Sequence, residues 1–363
     1  MNYPGKTSPI GVDITAHWLR AVQIVGSGPS ARLAACAVIP RAQSGTADLA
    51  MDAKRLAGAL RRQSFTGSEV VLAVPDDKLL SSVMELPPRS SGAPVEQLAA
   101  AEFARIHRSD PARLELALWD VPSPGGAGPR AAASQYMAVA CLHNDSDPIL
   151  SAFDDAGLDV LALNARSLAV ACACQSLLAP SPRMNALLHV GWSSTSLWIV
   201  IDGVLAYERQ LESTELGVLF RGITENTGLT FEAAEEILTT PARGELQRRE
   251  QDEGVRARDF AAAHAEAMTE QLRVSLSYVT RKYPQHGVDQ ILLVGDCGLL
   301  PALGACIASA GLAARPVVSS DLLQVPGQQA SGATAGGSNG GGGSGGAELV
   351  TAIGLAHYSG EAA

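Results

Sequence analysis

The sequence predicts an α/β protein built from two duplicated halves around a central cleft. Three observations carry that reading. Short apolar runs of strand length alternate with longer helical stretches, as in layered sheets and helices. A strand, polar turn and strand, IGVDITAHWLRAVQIVGSG at residues 10–28, returns as LLHVGWSSTSLWIVIDG at 187–203. A proline-punctuated joint, APSPR (Ala179–Arg183), lies near the middle of the 363 residues. That length is too great for one ordinary core.

Composition narrows the function classes. Hydrophobic residues make up 47% and charged residues 18% of the chain, the balance of a folded protein. The net charge of −10, from 27 Lys and Arg against 37 Asp and Glu, leaves no basic surplus to neutralise nucleic-acid phosphates. An aromatic content of 4% offers little for base stacking. Arg61-Arg62 and Arg248-Arg249 sit among acids and read as solvated helix faces. Charge or proline breaks every apolar stretch before bilayer length, so no transmembrane helix is expected. The opening MNYPGKTSPIGVDI lacks the basic start and apolar run of a secretion signal. The expected location is the cytoplasm. The cysteines, Cys36, Cys141, Cys172, Cys174, Cys297 and Cys306, follow neither zinc nor disulfide spacing and read as reduced thiols.

The elements follow in order. β-Branched or apolar runs bounded by turn residues predict strands at Ile10–Ile14, Trp18–Val25, Ala34–Ile39, Val70–Val74, Val83–Leu86 and Leu114–Val121. Further strands are expected at Tyr136–Cys141, Asp159–Leu163, Ala186–Val190, Ser196–Ile201, Val204–Leu211 and Gln290–Val294. Asp48 caps a helix to about Arg62, with Leu49, Leu56 and Leu60 near one face. Pro94 opens a helix to about His107, where its missing N–H costs nothing. Asp145 to Asp147 lead into Pro148–Ala156, which stops at Gly157. Thr230 caps Phe231–Leu238, with Glu232 well placed in its first turn. Val255–Tyr283 is the longest helical stretch and ends at Pro284; Leu299–Ala310 and Glu348–His357 follow. PSPGGAGPR (Pro122–Arg130) is a loop between strands. The Gly/Ser tract at 327–347 is expected to be a disordered loop, natural or engineered in origin.

Superposing Asp13 on His189 places Thr15 on Gly191, His17 on Ser193, Arg20 on Ser196 and Ile24 on Val200. Each half thus opens on the same hairpin. Duplicated ribonuclease H-like domains with two hairpin turns facing one cleft are how the actin-like ATPases hold phosphates, and the chain is read as that fold.

GVDITAHWLRAVQI (Gly11–Ile24) resembles the opening of the type IV pilus assembly protein PilM family, roughly G-I-D-I-G-S-S-S-V-K-A-V-E-L. The similarity continues through VVLAVPDDKLLSSVMELPP, LAAAEFARIHRSDPARLELALWDV and AVACLHNDSDPILSAFDDAGLDVLALNARSLAVACA. In the second half GLTFEAAEEI, ILLVGDCGLLPALGACIASAGL and AIGLAHY are similar to family segments in the same order. Each motif alone is weak, and the ordered series is strong. The resemblance implies an actin/FtsA-like fold. Its first domain would span residues 1–180, with a small inserted subdomain at about 68–143. The second would span 181–363, with a helical subdomain at about 212–286.

That fold grips ATP with two phosphate turns, carboxylates for Mg²⁺ and water, and a Gly-Gly edge under the adenosine. A hard cation needs oxygen ligands, an oriented water needs a proton acceptor, and backbone N–H groups reach phosphate only where no Cβ intervenes. Here Asp13 is kept. Thr15 stands where Gly is expected, Ala16 and the bulky His17-Trp18 fill the Ser-rich tip, and His189 replaces the second Asp. Asn164 falls where the family shows an Asp, and Asp296 follows Gly295 in place of the second Gly. Arg20 and the turn Gly191, Ser193, Ser194 and Thr195 remain suited to an anion. The resemblance therefore carries over ATP with Mg²⁺ as cofactor, held at these two turns and the Gly295-Asp296 edge, with no catalytic residue and no metal ligand assigned. The departures argue that selection for hydrolysis is weak or absent. A lone histidine at a strand end is more often structural than an acid-base catalyst. Neither a G-x-S-x-G elbow nor a Walker-type loop occurs.

The expected function is a cytoplasmic scaffold of a type IV pilus or type II secretion assembly platform, peripheral to the inner membrane through its partner alone. In the family, the cleft between the first domain and its inserted subdomain receives the N-terminal peptide of the membrane protein PilN. Other platform proteins are the further partners expected, and nucleic acid is not. The alternative is an active actin-like ATPase whose nucleotide state regulates pilus assembly. It needs Asp13 plus a substitute carboxylate, for which Asp296 and Asp202 are the nearby offers. An FtsA-like membrane-tethered filament is a third reading, for which the ending HYSGEAA supplies no apolar helix face.

Overall fold

The structure, a computed structural model, describes residues 7–26, 28–41, 49–122, 133–178, 183–239, 248–295, 298–324 and 346–359. From the N-terminus run β1 (Ile10–Ile14), β2 (Trp18–Val25), β3 (Arg32–Pro40), α1 (Leu49–Arg62), β4 (Glu69–Ala73) and β5 (Leu79–Leu86). Then come α2 (Val95–His107), β6 (Leu114–Val121), β7 (Ser134–Leu142), α3 (His143–Asp154), β8 (Asp159–Asn164) and α4 (Arg166–Ala173). The second half starts with β9 (Met184–Val190), β10 (Thr195–Ile201), β11 (Val204–Gln210), α5 (Leu216–Thr227), α6 (Phe231–Thr239) and α7 (Arg248–Lys282). It closes with β12 (Val288–Gly295), α8 (Leu300–Ser309), β13 (Ala314–Pro316), α9 (Ser319–Leu322) and α10 (Val350–Ala356).

Two five-stranded sheets share one strand order, β3-β2-β1-β4-β8 and β11-β10-β9-β12-β13. In both, the first strand of the half is central and pairs in parallel with the fourth, β1 with β4 and β9 with β12. Asp13 and His189 are each the penultimate residue of that central strand, as the superposed repeats require. A third sheet, β5-β7-β6, is antiparallel and covered by α2 through Val95, Ala99 and Phe103. By contacts the chain forms two compact units. One holds Met1–Leu178, Val200–Tyr207 and Val318–Ala363, and the other Ala179–Ile199 and Glu208–Val317.

Strand parity sorts the first sheet into two faces. Ile10, Val12 and Ile14 of β1 pack with Leu19, Ala21, Val70 and Leu72 against α1 and α3. Gly11 and Asp13 therefore belong to the opposite face, where Val71 and Ala73 meet Ala169 of α4 and Leu355 of α10. The C-terminal helix lies close on this face. A Cβ on Gly11 would come within 2.1 Å of the Ala352 carbonyl oxygen.

Most sequence boundaries stand within a few residues, and the differences have local causes. α3 begins at His143, with Pro148 inside the helix rather than at its start, because β7 passes into it directly at Leu142. α7 starts at Arg248, ahead of the expected Val255. Thr230 does cap α6, its hydroxyl accepting from the Ala233 N–H at 3.3 Å. The Gly/Ser tract lies outside the described residues apart from Gly346 and Ala347, as do Pro122–Arg130 beyond Pro122 and the joint before Arg183.

Burial pushes the imidazoles of His264, His107 and His357 below the ordinary value of 6.5. At His264 a hydrogen bond to the Thr214 carbonyl and the charge of Glu215 oppose the shift without cancelling it. With each folded value depressed, the unfolded chain takes up protons first as pH falls. Stability is then complete above about pH 6.5 and declines from there towards the folded values. The urea midpoint, followed by circular dichroism, is expected to be lower at about pH 5.5 than at about pH 7.5. A midpoint unchanged or higher at the acid pH would contradict the assignment.

Candidate functional site

The β1–β2 hairpin brings together every residue expected in the first phosphate turn. Asp13 and Arg20 are cross-strand partners in the ladder. Both are buried, at 1% and 2% exposure, with Arg20 Nη1 3.9 Å from Asp13 Oδ2. The other carboxylate oxygen, Oδ1, accepts a hydrogen bond from Arg166 Nη1 at 2.6 Å. Arg166 opens α4, and its Nε donates to Asp76 Oδ1 in the β4–β5 turn at 2.9 Å. Each Asp13 oxygen thus faces a guanidinium; Asp13, Arg20 and Arg166 are buried, and Asp76 closes the cluster from a half-buried position.

The position of Arg166 follows from this cluster and not from the helix. A cation in the first helical turn faces the positive end of the macrodipole, which disfavours it. It is held there by Asp13 and Asp76. Neither Arg166 nor Asp76 was among the expected site residues, and Arg166 is 153 positions from Asp13 in sequence. An arginine at a helix start, where the dipole argues against it, was the one available signal.

The turn itself closes on its own polar groups. The Thr15 N–H donates to the Trp18 carbonyl at 2.9 Å, and the Trp18 N–H donates to Thr15 Oγ1 at 3.2 Å. Arg41 clamps the turn from β3's end. Its Nη1 donates to the Thr15 carbonyl at 2.9 Å, its backbone N–H to His17 O at 2.8 Å, and its Nε to buried Asp52 of α1 at 2.7 Å. Thr15, in place of the expected glycine, supplies the hydroxyl that completes this closure. Ala16 and His17 sit half-buried at the tip.

The second turn, between β9 and β10, is closed in a similar way. The Gly191 N–H donates to Ser194 O at 2.9 Å, and the Gly191 and Trp192 carbonyls accept from Leu216 and Gly217 of α5. Thr195 Oγ1 donates to the Thr214 carbonyl at 2.8 Å. Ser193 is exposed, whereas Ser194 and Thr195 are buried. His189 is 3% exposed and stacks on Trp198 with ring centroids 5.5 Å apart. A Cβ on Gly191 would stand 2.8 Å from His189 Cε1 and 2.9 Å from Ser194 O. The glycine is explained by this packing as well as by any approach of phosphate. Trp192 is fixed by Phe220 and Phe231, at 5.7 and 5.3 Å between centroids.

Gly295 ends β12 in register with Val190, and a Cβ there would lie 2.0 Å from the Val190 carbonyl oxygen. Asp296 lies outside the described residues. Asp202, the other substitute carboxylate considered, forms the two-residue turn with Gly203 between β10 and β11, both at positive φ (54° and 79°), an Asp-Gly hairpin turn. It sits at the far end of β10 from Thr195, roughly 20 Å along the strand, and cannot stand in for a carboxylate beside His189.

Set against the needs of Mg·ATP, the described part of this donor set does not fit the metal. Mg²⁺ asks for carboxylate oxygens left to it, and those of Asp13 face guanidinium groups. Among the described residues no group of three or more His, Cys, Asp or Glu side chains gathers as for a metal ion. No described helix is long and apolar enough to cross a membrane.

Two sheets of one topology, each opened by the same hairpin, define an actin-like protein. A chain of the PilM–PilN type IV pilus biogenesis complex has this fold, with a TM-score of 0.73 at 21% identity over 96% of this chain and 97% of that one. The ethanolamine utilization protein EutJ from Carboxydothermus hydrogenoformans has it too, with a TM-score of 0.51 at 14% identity over 98% and 91% of the two chains. No curated protein matches the sequence. The sequence model of the type IV pilus assembly protein PilM matches residues 11–320. The chain belongs to the PilM family.

Proposed function

We propose that this PilM-family protein is a cytoplasmic scaffold at the inner membrane, part of a type IV pilus or type II secretion assembly platform. It captures the cytoplasmic N-terminal peptide of a PilN-like membrane protein, and its former nucleotide site no longer works with Mg²⁺. The family match across residues 11–320 supports the first part, with the likeness to a chain of a PilM–PilN complex beside it. The single observation that carries the second is the Asp13 carboxylate held between Arg166 and Arg20. An aspartate whose oxygens already face cations has no reason to recruit Mg²⁺.

Calorimetry on the full chain tests both parts. The probe is a synthetic peptide with the cytoplasmic N-terminal sequence of a PilN-family protein, and the expected affinity is about micromolar, near 8 kcal/mol. Absence of peptide binding would remove the capture reading. In the same instrument Mg·ATP is expected to produce neither binding nor turnover. Micromolar binding with turnover that disappears in Asp13→Ala would replace the scaffold with an active ATPase.

A further inference from the structure

Two carboxylates on separate segments share one buried guanidinium. Arg166 bonds Asp13 Oδ1 at 2.6 Å and Asp76 Oδ1 at 2.9 Å, and it is only 5% exposed. A pair of carboxylates converging on a single positive charge is the arrangement a hard divalent cation takes between oxygen ligands. We infer that the Arg166 guanidinium is a built-in substitute for such a cation. It occupies the charge position between Asp13 and Asp76, and it ties the β1–β2 hairpin, the β4–β5 turn and the start of α4 together without metal.

Three observations support the substitution. Strand parity places Asp13 on the sheet face that α4 covers, so the side chain opening α4 is at hand. The helix dipole opposes a cation in the first turn, so Arg166 gains its place from the two carboxylates and not from helix stability. Arg20, paired with Asp13 across the ladder, brings the cluster to two positive and two negative groups. Removing Arg166 takes one positive charge from between the two carboxylates, and a divalent cation would restore positive charge there.

The inference deepens the reading that Mg²⁺ chemistry has been lost here, and it is independent of peptide capture. Thermal unfolding of the full chain, in EDTA and in millimolar Mg²⁺ or Mn²⁺, tests it. The wild-type midpoint is expected to be the same in all three. Arg166→Ala is expected to melt lower in EDTA, by on the order of 10 °C, and to regain several degrees with Mn²⁺ or Mg²⁺. Mn²⁺ paramagnetic resonance should count about one tight ion per Arg166→Ala chain that the wild type lacks. The double variant Arg166→Ala, Asp13→Asn should lose both responses. Arg166→Lys, which retains a charge, should stay indifferent to the ions. Should Arg166→Ala fail to fold in EDTA, its refolding yield with Mn²⁺ against EDTA is read instead, and equal yields overturn the inference. A wild-type midpoint raised by Mg²⁺ overturns it as well, as does an ion response that survives Asp13→Asn. Peptide binding by the wild type is unaffected by any of these outcomes, so the two readings fail separately.

Discussion

Gly354→Ala is expected to unfold the first unit or to leave it insoluble, the largest effect of any glycine-to-alanine substitution among the described residues. A Cβ at Gly354 of α10 would stand 1.8 Å from the Ala169 carbonyl oxygen and 2.4 Å from its carbon, both backbone atoms of α4. On β1, a Cβ at Gly11 would meet the Ala352 carbonyl oxygen at 2.1 Å and the Ala356 nitrogen at 2.5 Å. The short C-terminal helix is thus pressed against α4 and β1, with backbone the nearest neighbour at both glycines. Flexible side chains can yield to an added methyl, but hydrogen-bonded backbone cannot. The cost should exceed the usual range for overpacking, reaching more than about 3 kcal/mol. Soluble yield and the urea midpoint measure it. Gly157→Ala, with φ of 75° and nothing within 4 Å, is the control and should cost about 1 kcal/mol through backbone strain alone. Equal midpoints for Gly354→Ala and the wild type would contradict this packing.

Asp13→Ala carries the second largest expected effect, and it separates a structural carboxylate from a catalytic one. Truncation leaves Arg20 and Arg166 buried, at 2% and 5% exposure, without their shared partner. Removing one member of a buried charge cluster costs about 3–5 kcal/mol, because the remaining charges have lost part of their compensation. The unfolding midpoint should fall accordingly. Asp13→Asn, which keeps the oxygen that accepts from Arg166, should lie between the two. An aspartate serving only Mg²⁺ would behave in the opposite way: its removal would abolish turnover and leave the midpoint in place. An Asp13→Ala protein as stable as the wild type would therefore undo the structural assignment.

Much of the architecture was legible because it rests on local pattern. The repeated strand–turn–strand unit carries its own period of two, so the placement of Asp13 opposite His189 follows from matching the two segments. The strand order of the two sheets repeats accordingly. Thr230 announced the start of α6 through its side-chain oxygen, and Pro284 the end of α7. Pro148 misled, since a proline expected to open a helix lies inside one.

The candidate site was half legible. The residues of each turn were visible as departures from a phosphate-binding pattern, and His189, read as more often structural than catalytic, stacks on Trp198. What those departures do instead was not visible. Thr15 reads as a lost glycine, yet its hydroxyl closes the hairpin against Trp18. Arg20 reads as an anion ligand, yet it is turned to Asp13 inside the protein. Asp202 reads as a nearby carboxylate, yet it belongs to a turn at the other end of β10.

By itself, the sequence determined the fold class, the duplication and the family, because each depends on periodicity and on the order of segments along the chain. Only the tertiary structure decided what surrounds Asp13. Those surroundings include Arg166 and, through it, Asp76, because a sheet face, a turn and a helix start converge. The same holds for Gly354, whose missing side chain matters only because the backbone of Ala169 lies against it. Pairings of this kind are set by how the chain closes on itself, and no local pattern of residues encodes them.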